Sequence, residues 1–351
     1  MMNDRPIRVL VVDDSAIVRK ILVEALSKER GIEVVGTASD PYFARDRIVA
    51  LRPDVLTLDI EMPRMDGLTF LKKLMQYHPM PVIVVSSLAQ SSCAAAVEAL
   101  RLGAAEVVAK PSGPYSVGEL SETLAGKVRA AAASRPAKAG PAVPSPAPQQ
   151  PASLYVGSHA RSSIVAIGAS TGGVSALQKV LSELPEDMPG IVVTQHIPAD
   201  FSLAFATRLN QVCRLTVKEA EDGDSVLPGH VYIAPGNRHL ILQKGSAGYR
   251  LALKDGPQVC YQRPSVDVLF HSVAQAAGAK AVGVLLTGMG ADGADGLLAM
   301  KRSGARTIAQ DEASCVVFGM PKEAILRGAV DEIKSLCDIG RTIQSCLSVR
   351  Q

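Results

Sequence analysis

Apolar runs and amphipathic stretches alternate along the first third of the chain. The runs are rich in Val, Ile and Leu, each precedes a segment of helical length, and in chain order they read RVLVVD, IEVVGTAS, DVLTLD, PVIVVSS and EVVAK. Nearly continuous apolar strands are typical of a sheet that is buried on both faces, and alternation with helices makes the strands parallel. The pattern therefore predicts a five-stranded parallel sheet covered by helices on both faces.

The same alternation returns after residue 160, together with sequence that resembles hairpins. The strand-like runs are SSIVAIGAS, GIVVTQH, KAVGVLLTG and ARTIAQ, and the hairpin-like stretches are GHVYIAPGNRHLILQ and YRLALKDGPQVCYQ. This pattern predicts a larger, doubly wound, mainly parallel α/β domain.

Residues 131–152, which read AAASRPAKAGPAVPSPAPQQPA, separate the two patterned regions. A stretch of Ala, Pro, Ser and Gln with no apolar period cannot bury enough surface to order itself, and its prolines favour extended backbone. We therefore predict a first domain over 1–125, a Pro/Ala-rich linker over 126–160 and a second domain over 161–351. Two domains also suit a chain of 351 residues.

Composition excludes several classes of function. The net charge is +3, from 37 basic and 34 acidic residues, which gives no bias toward nucleic acid or a membrane surface. No apolar run is long enough for direct membrane insertion, and the segment MMNDRPIRVL lacks the apolar core of a secretory signal, so we expect a cytoplasmic protein. The six cysteines are widely spaced, which favours neither a disulfide framework nor a zinc site.

Four acidic or hydroxyl side chains and one lysine fall at the carboxyl ends of the first-domain strands, which is the edge where open parallel sheets bind ligands. These residues are Asp13, Asp14, Asp59, Ser86 and Lys110. Converging carboxylates repel one another unless a hard cation such as Mg2+ joins them, and a carboxylate beside Mg2+ can accept a phosphoryl group. The alternatives are a plain Mg2+ or Ca2+ site, or acids that only cap helices, with Asp14 as the cap before SAIVRK.

Residues 7 to about 125 resemble a two-component receiver domain. The resemblance rests on DD at 13 and 14, LDIEMPRMDG at 58–67 and AKP at 109–111. It implies a flavodoxin-like (βα)5 fold, with Asp59 as the phosphoacceptor, a Mg2+ site formed by Asp14, Asp59 and the carbonyl of Glu61 with support from Asp13, and Ser86 and Lys110 as the residues that contact the phosphoryl group. Many receivers carry a switching aromatic residue where this chain has Val107, so relay through an aromatic rotamer is not expected.

Ser170 lies in a tight turn between the apolar run IVAIG and the helical pattern VSALQKVLSEL. A G-x-S-x-G turn can present a nucleophile, whereas glycines that open a helix can also bind phosphate. A nucleophilic serine needs a base, and His196 directly follows a strand-like run, with His239 as its competitor. Asp292 follows a third strand, so the topology predicts that Ser170, His196 and Asp292 meet at one edge of the sheet.

The stretch GMGADG at 288–293 also satisfies the dinucleotide fingerprint G-x-G-x-x-G, with Asp311 at the end of the next strand. Too little chain follows it for the usual two-halved nucleotide fold, and this interpretation leaves Ser170 and His196 without a role. A calcium-binding turn at DGADG is a further alternative, but the closing glutamate of such loops is missing.

Residues 161 to about 348 resemble the catalytic domain of chemotaxis protein-glutamate methylesterases. The motifs that carry the resemblance are GASTGG, QHIP, YIAPGNRHL, RPSVDVLFHSV, LTGMGADGADG and IAQDEASCVVFGMP. The resemblance implies a triad of Ser170, His196 and Asp292 and an oxyanion-hole contribution from the backbone N–H of Met289. Thr171 is our second candidate for the oxyanion hole, because it follows the nucleophile at a helix N-terminus.

The resemblance also implies a function for the whole chain. The expected reaction is hydrolysis of glutamate γ-methyl esters on methyl-accepting chemotaxis receptors to glutamate and methanol, with deamidation of receptor glutamines at the same site. A chemotaxis histidine kinase would phosphorylate the receiver, which otherwise inhibits the enzyme, and no cofactor is expected in the catalytic domain. The competing class, a DNA-binding response regulator, would need a helix-turn-helix and a basic stripe, and neither follows residue 160.

Overall fold

A computed structural model of the chain describes residues 5–110, 117–134, 163–245 and 248–348. The chain divides into two compact units, Met1–Ala142 and Val143–Gln351. Each unit is described by itself.

Unit 1 is a five-stranded parallel sheet with the strand order β2-β1-β3-β4-β5. Its strands are β1 (Ile7–Val12), β2 (Ile32–Ala38), β3 (Val55–Asp59), β4 (Val82–Ser86) and β5 (Glu106–Ala109). The connecting helices are α1 (Ala16–Ser27), α2 (Pro41–Leu51), α3 (Gly67–Tyr77) and α4 (Gln90–Arg101), and α5 (Val117–Ala133) follows β5. This is the flavodoxin-like order, so the predicted fold of the first domain is confirmed.

The burial of unit 1 follows the sequence pattern. Every residue of β3 and β4 is buried, because helices cover both faces of the sheet. The side chain of Ser15 caps α1 by accepting a hydrogen bond from the Val18 N–H, so the interpretation of Asp14 as the cap of this helix is wrong. Helix α5 runs to Ala133 and makes residues 126–133 of the predicted linker helical. Most of the remaining linker, residues 135–160, lies outside the described residues.

Unit 2 contains a seven-stranded, wholly parallel sheet with the order β14-β13-β12-β6-β7-β9-β8. The strands are β6 (Ile164–Ala169), β7 (Gly190–Gln195), β8 (Thr216–Glu219), β9 (His230–Ile233), β12 (Ala281–Leu285), β13 (Arg306–Gln310) and β14 (Glu332–Lys334). The helices are α6 (Gly173–Glu183), α7 (Phe201–Val212), α8 (Val266–Ala277), α9 (Ala294–Arg302), α10 (Met320–Leu326) and α11 (Leu336–Ser348), with a short 3-10 turn at Gly278–Lys280.

The hairpin-like sequence divides between two structures. Strands β10 (His239–Gly245) and β11 (Gly248–Lys254) form an antiparallel pair that packs against α8, whereas β9 joins the main sheet in parallel with β7 and β8. The predicted doubly wound, mainly parallel domain is therefore confirmed. Strand order reverses at β6, whose neighbours are β7 on one side and β12 on the other, and such a switch point is where open α/β sheets place their sites.

Candidate functional sites

The acidic site of unit 1 lies at the switch point between β1 and β3. Asp13 follows β1 and Asp59 ends β3, and both side chains are buried. The Nζ atom of Lys110, which follows β5, lies 2.8 Å from Asp59 Oδ2 and 3.2 Å from Asp13 Oδ2. One ammonium therefore faces two carboxylates, which leaves the site with excess negative charge.

The pKa values of the two carboxyl groups reflect first their burial and then the charges around them. Burial, partly offset by the hydrogen bond from Lys110, raises the pKa of Asp59 to about 6. Burial likewise raises the pKa of Asp13, against the charge of Lys110. Lys110 itself is partly buried, which would lower its pKa, but the hydrogen bond to Asp59 and the charges of both carboxylates raise it. The site is therefore poised to bind a cation.

A divalent cation fits these residues. Asp13, Asp14 and Asp59 each offer a carboxylate oxygen, and the three atoms lie within 4.8 Å of one another. Oδ2 of Asp13 and Oδ2 of Asp59 are both buried, and both face the Lys110 ammonium. Oxygen ligands in this number suit Mg2+.

The other two predicted residues of this site have different surroundings. The Glu61 N–H donates to Asp59 Oδ1 over 3.2 Å, and the Glu61 carboxylate accepts a hydrogen bond from Ser92 Oγ. The hydroxyl of Ser86, which is buried at the end of β4, donates to the Ser92 carbonyl over 3.3 Å. The structure therefore ties Ser86 to α4, and it records no hydrogen bond between Ser86 and Asp59 in the described residues.

In unit 2, Ser170 directly follows β6 and precedes a sharp turn into α6. The turn needs Gly172, which has φ +78 and where an added Cβ would meet Val316. The Ser170 N–H donates to the Thr287 carbonyl beyond β12, and the Ser170 carbonyl accepts from the Gly173 N–H. Ser170 is thus fixed at the switch point with only 9 % of its surface exposed.

His196 follows β7, and its ring contacts Asp292. The distance from His196 Nε2 to Asp292 Oδ2 is 2.7 Å, and both side chains are buried. The side chain of Gln195 donates to the backbone carbonyls of Ser170 (2.9 Å) and His196 (3.1 Å) and so joins the two loops. The residues predicted from three separate loops therefore lie in one region at the carboxyl edge of the sheet.

The N-terminus of α8 holds the Asp292 carboxylate. Ser265 Oγ donates to Oδ1 (2.8 Å), and the backbone N–H groups of Val266 and Asp267 donate to Oδ2 (2.7 Å) and Oδ1 (3.0 Å). Burial raises the pKa of Asp292, but the hydrogen bond and charge of His196 and these backbone donors outweigh it and lower the pKa. Asp292 is therefore ionised at neutral pH, as a helix N-terminus favours.

The ionised carboxylate fixes the tautomer of His196. Because Asp292 can only accept a hydrogen bond, Nε2 carries the proton and Nδ1 keeps its lone pair. Nδ1 is buried and has no hydrogen-bond partner among the described residues. The structure records no hydrogen bond from Ser170 Oγ to the imidazole there, and such bonds often tighten only in the substrate complex. Nδ1 is thus the nitrogen available to a proton donor.

The predicted oxyanion-hole residues border Ser170. Thr171 is the next residue in the chain, and its carbonyl accepts a hydrogen bond from Thr287 Oγ1. Met289 belongs to the loop after β12 and is 43 % exposed. The preceding residue, Gly288, packs so closely that an added Cβ would lie 2.7 Å from Ser170 Cβ and would clash with Met320 Sδ.

The residues that the sequence offered as an alternative base or as a dinucleotide site have other roles in the structure. His239 accepts a hydrogen bond from the Ser265 N–H at Nδ1 and bonds the Pro257 carbonyl through Nε2, so both of its nitrogens support the loop before α8. Asp311 accepts hydrogen bonds from the backbone N–H and hydroxyl of Ser314. The GMGADG loop packs on Ser170 and presents Asp292 to His196. Its residues are therefore part of this site and do not form a dinucleotide-binding turn.

Three supporting residues were missed by the sequence analysis: Ser265, Gln195 and Thr287. Ser265 carried a usable signal, because a serine before an apolar helical run is a typical N-cap. Gln195 and Thr287 carried none, since their partners lie in loops that are distant in sequence.

Comparison with known proteins connects this geometry to a family. A family model described as CheB methylesterase matches residues 165–343. The chain belongs to the CheB methylesterase family. A second family model, described as response regulator receiver domain, matches residues 9–121.

Individual relatives agree with the CheB methylesterase assignment over nearly the full chain. A protein-glutamate methylesterase/protein-glutamine glutaminase 2 of Syntrophus aciditrophicus is 57% identical over 96% of this chain and 98% of its own length. A protein-glutamate methylesterase/protein-glutamine glutaminase of Salmonella typhimurium is 52% identical over 98% of both. The crystal structure of the Thermotoga maritima CheB methylesterase catalytic domain superposes with a TM-score of 0.51 at 41% identity, covering 52% of this chain and 97% of that one.

These findings confirm the predicted family, the receiver domain and the enzyme class, a methylesterase of the carboxylic ester hydrolases. Within the described ranges of the chain, no helix has the length and apolar character needed to cross a bilayer.

Proposed function

We propose that the chain is a phosphorylation-activated protein-glutamate methylesterase that hydrolyses glutamate γ-methyl esters on methyl-accepting chemotaxis receptors. It would deamidate receptor glutamines at the same site and act in the cytoplasm, without binding nucleic acid or inserting into a membrane. The observation that carries the proposal is the 2.7 Å contact between His196 Nε2 and an Asp292 carboxylate held by three further donors. This arrangement prepares His196 to act as a base beside Ser170.

In the proposed mechanism, Nδ1 of His196 takes the proton of Ser170 Oγ as that oxygen attacks the ester or amide carbonyl carbon. Asp292 stabilises the imidazolium that forms. The backbone N–H groups of Met289 and Thr171, aided by the positive end of α6, would stabilise the oxyanion. The imidazolium then protonates the leaving group, which departs as methanol from an ester or as ammonia from a glutamine amide. In the second half, His196 takes a proton from water as the water attacks the acyl-enzyme, and it returns that proton to Ser170 Oγ as the glutamate is released.

For the receiver, we propose Asp59 as the phosphoacceptor and a chemotaxis histidine kinase as the phosphodonor. Asp13, Asp14 and Asp59, with the Glu61 carbonyl, would hold Mg2+, which neutralises charge on the transferring phosphoryl group. Lys110 is already within 2.8 Å of Asp59 and would contact the phosphoryl oxygens. Ser86 would have to exchange its bond to the Ser92 carbonyl for one to the phosphoryl group.

Measurement of methanol release from methylated receptor membranes tests the catalytic proposal. Loss of the nucleophile from a triad costs orders of magnitude in rate, so Ser170→Ala should reduce release by about 10⁴-fold or more in a folded protein. Ser175→Ala, at an exposed position on α6, is the matched control and should match the wild type. Release by Ser170→Ala at a rate near the wild type would refute the assignment.

A further inference from the structure

A two-residue turn at Cys260 and Tyr261 has an unusual backbone for its sequence. Reciprocal hydrogen bonds between Val259 and Gln262, of 3.0 and 2.9 Å, close the turn. Cys260 has φ 51 and Tyr261 has φ 62, so both central residues are left-handed. Turns of this kind favour Asn and Gly, because a side chain strains the left-handed backbone. Retaining a large aromatic residue there costs stability and suggests a role outside folding.

The turn is anchored against the catalytic carboxylate. Cys260 Sγ and one carboxylate oxygen each of Asp267 and Asp292 lie within 4.8 Å of one another. Burial of the sulfur, together with the charges of Asp292 and Asp267, raises the pKa of Cys260 to about 11, so the thiol stays protonated and can donate to Asp267. Cys260 therefore fixes the turn beside the triad.

Tyr261 projects from this anchored turn into solvent. Its exposure of 89 % is the highest among the large hydrophobic side chains of the described residues. Those residues provide no stacking partner for its ring. Met289, on the loop that approaches Ser170 from β12, also exposes apolar surface. Apolar side chains are thus exposed on the turn that lies beside Asp292 and on the loop that packs against Ser170, whereas Ser170 itself is almost buried.

We propose that Tyr261 is a substrate-recognition residue, whose ring packs against the polypeptide that carries the esterified glutamate. The inference rests on the proposed function and extends it to how the substrate is selected. Because only 9 % of the surface of Ser170 is exposed, the glutamyl side chain would have to reach in to it while the rest of the polypeptide stays at the protein surface. Tyrosine suits such a contact, because it supplies large amphipathic area at a low entropic cost.

Tyr261→Gly separates recognition from folding. Glycine accepts the left-handed backbone without strain, so this variant should unfold at the same temperature as the wild type or higher. Loss of the ring should lower kcat/KM for methylated receptor membranes by about 30-fold, the effect of truncating an interface hot spot. Tyr261→Phe should retain activity because it keeps the ring. The full chain is assayed with Mg2+ and a small-molecule phosphodonor.

Leu227→Ala is the matched control, because Leu227 is 48 % exposed but lies beside Gly190, the first residue of β7. That position is at the amino ends of the strands, whereas Ser170 and His196 follow the carboxyl ends. It should match the wild type. Unchanged kcat/KM in Tyr261→Gly would overturn the inference, and so would a fall in kcat/KM accompanied by a lower unfolding temperature, which indicates a structural role. An equal loss in Tyr261→Phe or in Leu227→Ala would also overturn it. If the wild type itself releases no methanol, the proposed function fails instead.

Discussion

At the scale of single residues, the candidate site depends most on how Asp292 is held. Three donors from the start of α8 compensate for its burial, and His196 completes the set. A carboxylate fixed in this way keeps one tautomer of His196 and can stabilise the imidazolium. In the proposed mechanism, the acid would therefore contribute orientation and charge through His196.

Asp292→Asn should reduce methanol release by about 10³–10⁴-fold. An amide offers one acceptor oxygen, so donors from α8 lose their partner, and its NH2 group would favour the wrong imidazole tautomer. Asp295→Asn is the control, because Asp295 is exposed and pairs with Arg327 on the surface. Equal activity of the two variants would contradict the role of Asp292.

The lowered pKa of Asp292 adds a pH dependence to the same experiment. A carboxyl group whose pKa is lower in the folded state stabilises the protein above its unfolded value of about 3.9, and this stabilisation disappears as pH falls through the folded value. The wild type should therefore lose more stability than Asp292→Asn on acidification below about pH 4. Urea unfolding at a series of pH values measures the difference.

At the scale of elements, the contact between two loops positions the nucleophile. Gly288 after β12 and Ser170 after β6 approach each other so closely that no side chain fits between them. The Gly288 carbonyl also accepts the N–H groups of Gly319 and Met320, which start α10. A displaced Gly288 would therefore move both Ser170, the proposed nucleophile, and the loop that carries Met289.

Gly288→Ala should lower kcat for methanol release by more than about tenfold, because a misplaced nucleophile loses catalytic power steeply. Gly223→Ala is a useful comparison, since Gly223 has φ +86 and no atom near an added Cβ. That variant should lose about 1 kcal/mol of unfolding free energy and keep its kcat. Wild-type kcat in Gly288→Ala would show that the loops can separate without consequence.

The secondary-structure elements also show which parts of the fold and of the site the sequence predicted. Apolar runs located all five strands of the first sheet and β6, β7, β12 and β13 of the second, and the residues that directly follow them, such as Asp13, Ser170 and His196, were found by topology. The short outer strands β8 and β14 were missed, and β9 was expected in a hairpin. The N-cap of α1, the hydrogen bond of Ser86 to α4 and the roles of Gln195 and Thr287 were not found. The roles of Gln195 and Thr287 depend on contacts between loops that are distant in sequence, and no local pattern encodes them. The N-cap of α1 is a local feature, which was missed because Asp14 was preferred to its neighbour Ser15.

At the scale of the whole molecule, two units with separate sites share one chain. Among the described residues, each unit forms its own parallel sheet, and no strand of one unit pairs with a strand of the other. In the proposed function, the receiver would therefore inhibit the catalytic unit through a shift in population between arrangements of the units. Because both units belong to one chain, each meets the other at an effective concentration of about millimolar, so even a weak inhibitory contact would be occupied.

Deletion of residues 1–150 should therefore raise basal methanol release and abolish its response to a phosphodonor. A tenfold rise would correspond to about 1.4 kcal/mol of inhibitory docking free energy. The isolated catalytic unit is expected to fold, because the Thermotoga maritima domain of the same extent has been crystallised.

Asp59→Asn in the full chain is the matched variant. It retains the receiver but removes the proposed phosphoacceptor, so it should keep the low basal rate and no longer respond to phosphodonor and Mg2+. Chelation of Mg2+ should suppress the response of the wild type while leaving the deletion variant unchanged. A deletion variant slower than the unphosphorylated full chain would instead mean that the receiver supports the catalytic unit, and simple inhibition would be wrong.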